Sequence, residues 1–152
     1  MKTLSIVCAL LLVSCAHAPT AVTDARAIVE AKAALFSAAV VEASASAWSD
    51  PRVDSLVALY TDDATLFPPG APVIEGREAI RRYWSRTPDR RILKHQVTVE
   101  RAEYSAALLY EYGTFTGTFE TKGIAKESTA QYISVWRKEA DGSWRKHLDS
   151  WW

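Results

Sequence analysis

Leu59-Tyr60-Thr61-Asp62-Asp63-Ala64-Thr65-Leu66-Phe67-Pro68-Pro69-Gly70 contains the change of period on which the fold turns. Just upstream, Val53, Leu56, Val57 and Tyr60 recur at i, i+3, i+4 and i+7, the spacing of one buried helical face. Asp50-Pro51 gives that helix a capping carboxylate followed by proline at the first helical position. Asp62-Asp63 ends the helical period in a turn. Ala64 to Phe67 then reads as a brief apolar strand, which Pro68-Pro69-Gly70 stops because proline cannot donate to a ladder.

Working outward towards the N-terminus, Asp24 to about Trp48 is rich in Ala, Glu and Lys, with Phe36, Val40, Ala43 and Ala47 three or four residues apart. This predicts a long first helix. On the other side, Arg77 to Arg86 predicts a third helix that buries Ala79, Ile80, Tyr83 and Trp84 and ends before Pro88. Beyond Pro88 the period becomes two: Leu93, His95, Val97 and Val99 point one way, Lys94, Gln96, Thr98 and Glu100 the other. Tyr104 to Glu120 reads as one long strand in which Gly113 and Gly117 permit strong bending or a bulge. Ser128 to Arg137 and Trp144 to Trp152 complete the set, joined by the turn Glu139-Ala140-Asp141-Gly142. Helices followed by an antiparallel meander make an α+β domain.

The 152 residues, 49% hydrophobic, suffice for one core and are short for two. Lys+Arg and Asp+Glu balance at 18 each, so no net field gathers nucleic acid, and no nucleic-acid partner is expected. The first residues read as an address. Met1-Lys2 precedes the apolar run Leu4 to Val13, too short to span a bilayer as a helix. Residues 1–15 are read as a signal peptide, 16–24 as a tether and 25–152 as the domain. Cys8 lies in the leader, so a domain beginning after Cys15 has no thiol for a disulfide. An ordinary signal peptide cut near Ala16 or Ala18 is the alternative for this segment.

Two resemblances follow from these stretches. Leu12-Val13-Ser14-Cys15 resembles a bacterial lipobox, which implies that Cys15 is lipid-modified. Ala16 after it implies an envelope location, anchored in the outer membrane and facing the periplasm. Leu59 to Gly70, then Glu75-Gly76-Arg77-Glu78-Ala79-Ile80 with Tyr83-Trp84, then Tyr132 to Trp136 with Gly142-Ser143-Trp144 and Asp149-Ser150-Trp151, resemble the SnoaL-like branch of the nuclear transport factor 2-like superfamily. The resemblance implies a curved antiparallel sheet forming a cone around three N-terminal helices, with an apolar pocket inside. It also implies a homodimer through the open face of the sheet. The chain is similar to ketosteroid isomerases through Tyr60 to Gly70, but the match places Pro68 where they carry an aspartate base. Their oxyanion tyrosine falls near Ser44 and their protonated aspartate near Tyr132. Proline cannot take a proton, so their isomerase activity is expected to be absent.

Chemistry then rests on few residues. His147, Asp149 and Trp151 alternate along the last strand and share a face unless a bulge shifts the register, and an imidazole beside a carboxylate is an oriented base. Against this, Asp149 is equally read as a hydrogen-bonded structural group and Trp151 as core. His95 sits on an apolar face, either as a bonded wall residue or as a base. Glu111, between Leu109 and Gly113, is a second candidate buried carboxylate. Tyr60, Phe67, Trp84, Tyr112, Tyr132, Trp136 and Trp151 are the expected pocket wall. The arginines 77, 81, 82, 86, 90 and 91 read as a basic patch near the third helix. Neither metal nor cofactor is called for, since the domain has only His95 and His147 as imidazoles and lacks a glycine-rich phosphate loop. The expected function is binding of a small apolar molecule; the alternative is a cofactor-independent acid–base enzyme acting on a polyketide-like or steroid-like substrate.

Overall fold

The structure is a computed structural model and describes residues 20–45, 51–85, 90–105 and 107–152. The leader with Cys15, the Asp50 cap, Ala47, Trp48, Arg86 and Pro88 lie outside the described residues. Helix α1 runs Thr20–Ser44, α2 Pro51–Val57 and α3 Arg77–Trp84. The strands are β1 Tyr60–Phe67, β2 Ile74–Glu75, β3 Arg90–Ser105, β4 Leu108–Thr121, β5 Ile124–Lys138 and β6 Trp144–Trp151. One sheet joins them in the order β2-β1-β6-β5-β4-β3. It is curved and unclosed, and the helices precede most of it, giving the α+β cone that the residue pattern implies.

Helix α1 buries Ala25, Val29, Ala33, Phe36, Val40 and Ala43. Their spacings of three and four keep one stripe towards the sheet. The stripe serves two clusters. Its first half packs with Val99, Ala102, Leu109 and Trp136, and its second half with Val53, Leu56, Val57, Tyr60, Ala64, Leu66 and Ile80.

The sheet bends where two glycines of β4 face inward. Register shifts in β3 fall between Ile92 and Lys94 and between Val99 and Arg101, near Gly117 and Gly113 respectively. A Cβ on Gly113 would stand 2.0 Å from the Thr98 carbonyl oxygen, so the strands approach there more closely than any side chain permits. The β4–β5 hairpin turns at Lys122-Gly123, both at positive φ (52° and 80°), as a two-residue turn matching the strand twist requires.

Several expectations change. Tyr60 opens β1 instead of closing α2, and Asp62-Asp63 lies within β1 instead of in a helix-ending turn. The pair is accommodated because the β1–β6 register shifts between Tyr60 and Thr65 and each carboxylate meets an arginine: Asp62 and Arg77 at 2.7 Å, Asp63 and Arg137 at 2.7 Å. Arg81 likewise meets Asp54 at 2.6 Å, so the basic patch is partly neutralised. The segment Tyr104 to Glu120 is two strands, because β3 ends at Ser105 and β4 begins at Leu108, antiparallel to it. Leu93 is exposed, since the bulge beside it turns Ile92 and His95 to the same face. The meander is antiparallel, but β1 pairs with β6 in parallel and the short β2 adds an edge strand. Helix α1 begins at Thr20, within the segment read as a tether.

Candidate functional site

Strand register orders the inward residues by depth. At the open end stands the row Arg90, Thr121 and Ile124, followed by Ile92, Phe119 and Lys126, then His95, Gly117 and Ser128. Deeper come Val97, Phe115 and Ala130, and then Val99, Gly113, Tyr132 and Trp151. The last rows carry Ala102, Glu111, Ser134 and Asp149, then Leu109, Trp136 and Lys146. Between this face and the helices lies a cavity of about 1090 Å³. Helix α1 contributes Phe36, Val40 and Ala43 to its wall, and α3 contributes Tyr83 and Trp84. Trp84 stacks on Trp151, with ring centroids 6.2 Å apart. Trp84 Nε1 is buried with no partner in hydrogen-bond geometry, although its proximity opposes the upward push on the Tyr60 hydroxyl.

Three charged side chains are buried at the base. Asp149 Oδ1 accepts from Ser134 Oγ at 2.8 Å and Lys146 Nζ at 3.1 Å, and its Oδ2 accepts from the Tyr60 hydroxyl at 3.1 Å. Glu111 Oε1 accepts from Trp136 Nε1 at 2.9 Å and Oε2 from the Tyr132 hydroxyl at 3.1 Å. Lys146 Nζ lies 3.6 Å from the centre of the Phe36 ring, where the negative face of the π-system meets the ammonium. Burial pushes the Glu111 carboxyl above its usual range, with the Lys146 charge opposing. Tyr60 and Tyr132 are also pushed up, first by burial and then by Asp149 and Glu111 respectively, so both phenols remain proton donors. Two carboxylates against one ammonium leave the base short of positive charge.

His95 stands higher on the wall. Its Nδ1 is 3.0 Å from Ser37 Oγ and its ring stacks on Phe115 at 5.0 Å. Burial, assisted by the Lys146 charge, lowers its pKa to about 4. The imidazole is therefore neutral at pH 7, with one nitrogen free of its proton.

Of the residues singled out by sequence, the structure brings His95, Asp149, Trp84, Tyr132 and Trp151 to the cavity. Tyr60 and Trp136 are fully buried behind its wall, where they hold Asp149 and Glu111. Phe67 and Tyr112 are corrected: both are exposed and absent from the lining. Glu111 faces inward, so alternation turns Tyr112 to the outer face. His147 is corrected as well. A register shift in β6 opposite Val135 and Trp136 turns Lys146 inward, and His147 lies instead 3.1 Å from Thr61 Oγ1. Lys146 is the residue that strict alternation hides, because it assigns position 146 to the face opposite Asp149. Pro68, at the isomerases' base position, is buried and off the lining; Ser44 reaches the cavity, but its hydroxyl accepts from the Ile92 N–H at 2.9 Å.

Known proteins share the fold that carries this cavity. The model of the SnoaL-like domain matches residues 41–147. A ketosteroid isomerase-like protein from Erwinia carotovora atroseptica superposes with a TM-score of 0.60 at 25% identity, covering 74% of this chain and 92% of that one. A nuclear transport factor 2-like superfamily protein from Salmonella enterica gives 0.67 at 12% identity, covering 86% and 91%. A conserved protein from Planctomyces limnophilus gives 0.67 at 19% identity, covering 84% and 94%. No curated protein matches the chain by sequence.

Proposed function

The chain belongs to the SnoaL-like domain family, and from that premise we propose that it is an envelope-anchored domain that binds a small hydrophobic molecule inside its cone. The cavity carries this reading. About 1090 Å³ walled by Phe36, Val97, Phe115, Trp84 and Trp151, with a few charged groups at its two ends, is the make-up of a small-molecule site. Anchoring rests on Cys15 in its lipobox-like setting. Cys15→Ser should release the protein from the membrane fraction or leave its precursor uncleaved; unchanged membrane association with a mature N-terminus beyond residue 15 would refute the anchor.

A second reading, acid–base catalysis, is supported by His95, Glu111 and Asp149 lining one cavity, with the imidazole neutral and both carboxylates held by donors. The catalytic step would need a base within reach of the substrate. One experiment separates the two readings. Mix the full chain with a β,γ-unsaturated ketosteroid and follow both tryptophan fluorescence and the conjugated enone. Saturable fluorescence change with product formation at the buffer rate is the expected result. Turnover that disappears on His95→Gln or Asp149→Asn would replace the binding reading with the enzymatic one.

A further inference from the structure

The charged residues that line the cavity are segregated by depth. Glu111, Asp149 and Lys146 occupy its base; Arg90 and Lys126 stand in the two rows nearest its mouth, and both are exposed. Among the described residues neither mouth cation has a carboxylate partner within ion-pair distance. The Arg90 guanidinium instead lies 4.8 Å above the centre of the Phe119 ring, which holds it over the apolar channel. Thr121 and Glu111 are ten residues apart on β4. The two charged ends are therefore about 30 Å apart along the strand path. The wall between them carries no charged side chain, and its polar groups are the His95 imidazole and the hydroxyls of Ser44, Ser85, Ser128, Tyr83 and Tyr132.

From this arrangement we propose that the ligand is an amphiphile with a single anionic head group, carboxylate or phosphate, bound head-outward. This deepens the binding reading and rests on it. An anion driven to the base would meet two carboxylates offset by one lysine, whereas at the mouth it meets Arg90 and Lys126 with no acidic residue in the lining beside them. Arg90 offers a planar fork of donors suited to either oxyanion, and Lys126 a point charge. A cationic head is repelled at the mouth. A neutral chain fills the channel but leaves both cations to water.

The test titrates the full chain, below micelle-forming concentrations, with dodecanoate, dodecyl phosphate, 1-dodecanol and dodecyltrimethylammonium, read by tryptophan fluorescence. Dodecanoate or dodecyl phosphate should bind about fivefold or more tightly than dodecanol at low ionic strength, the gain expected of two partly exposed ion pairs. The gap should narrow as salt is added. Which of the two anions binds more tightly identifies the head group. Arg90→Gln combined with Lys126→Gln should erase the gap while dodecanol affinity stays within twofold, which also shows that the variant is folded. Equal affinity for dodecanoate and dodecanol, or tighter binding of the trimethylammonium, would overturn the head-group assignment and leave the binding reading standing. If no chain binds, dodecanol included, both fall.

Discussion

Asp149→Ala should lower the free energy of unfolding by about 3 to 5 kcal/mol, the cost of stripping one partner from a buried ion pair. The expected loss is large because the carboxylate accepts from three donors on three elements: Tyr60 at the start of β1, Ser134 on β5 and Lys146 on its own strand. Its removal leaves the Lys146 ammonium, 4% exposed, facing Phe36 and Trp136 with no hydrogen-bonded anion. Asp149→Asn keeps one acceptor oxygen, enough for the donors on one side of the group but not for both the Tyr60 and Ser134 hydroxyls, and should cost less than the alanine. Adding Lys146→Met to Asp149→Ala should recover part of the loss, since it removes the stranded charge. Urea denaturation of the full chain measures all three. A loss for Asp149→Ala under about 0.5 kcal/mol, typical of a surface site, would show that the base of the cavity is open to water.

Gly113→Ala is the second large effect, and it is local to the bend. The added methyl would sit 2.0 Å from the Thr98 carbonyl oxygen and 3.0 Å from the Glu100 N–H nitrogen, both of them backbone atoms that move only if the strand moves. The expected cost is at least the upper end of overpacking, about 3 kcal/mol. Amide exchange should quicken on both sides of the β3 bulge at Val99 and Arg101. Gly123→Asn is the control: its φ of 80° suits asparagine better than other side chains and nothing lies within 4 Å of the added Cβ, so its effect should be small. Equal stability of the two variants would show that the close approach at Gly113 is absent in solution.

These two positions show what the residue pattern conveys and what it hides. The helical stripes and the two-residue alternation are periodic signals; they specify the α+β order and the burial of Phe36, Val40 and Ala43, and they single out Glu111 and Asp149 as candidates without saying whether they face the pocket. The interruptions are not periodic. Asp62-Asp63 looks like a turn because its compensating partners, Arg77 and Arg137, come from distant positions. The reversal between the end of β3 at Ser105 and the start of β4 at Leu108 passes unnoticed because Ser105-Ala106-Ala107 contains neither Gly nor Pro. The shift in β6 exchanges His147 for Lys146 in the cavity, and thus changes the chemistry at its base from an imidazole to an ammonium. Asp149 and His95 are legible as single candidates. Their companions Lys146, Tyr60 and Ser134 become visible only when strands are laid side by side.

The most direct test of the central claim, that the cone holds a small apolar molecule, is a chemical-shift map of the full chain titrated with 1-dodecanol. Saturable shifts are predicted at Ile92, Val97, Ala130 and Trp151, together with their loss in Ala130→Trp, which places an indole in the middle of the cavity. Shifts confined to Tyr110, Tyr112 and Ile133 on the outer face of the sheet, or saturable shifts that Ala130→Trp leaves unchanged, would contradict it.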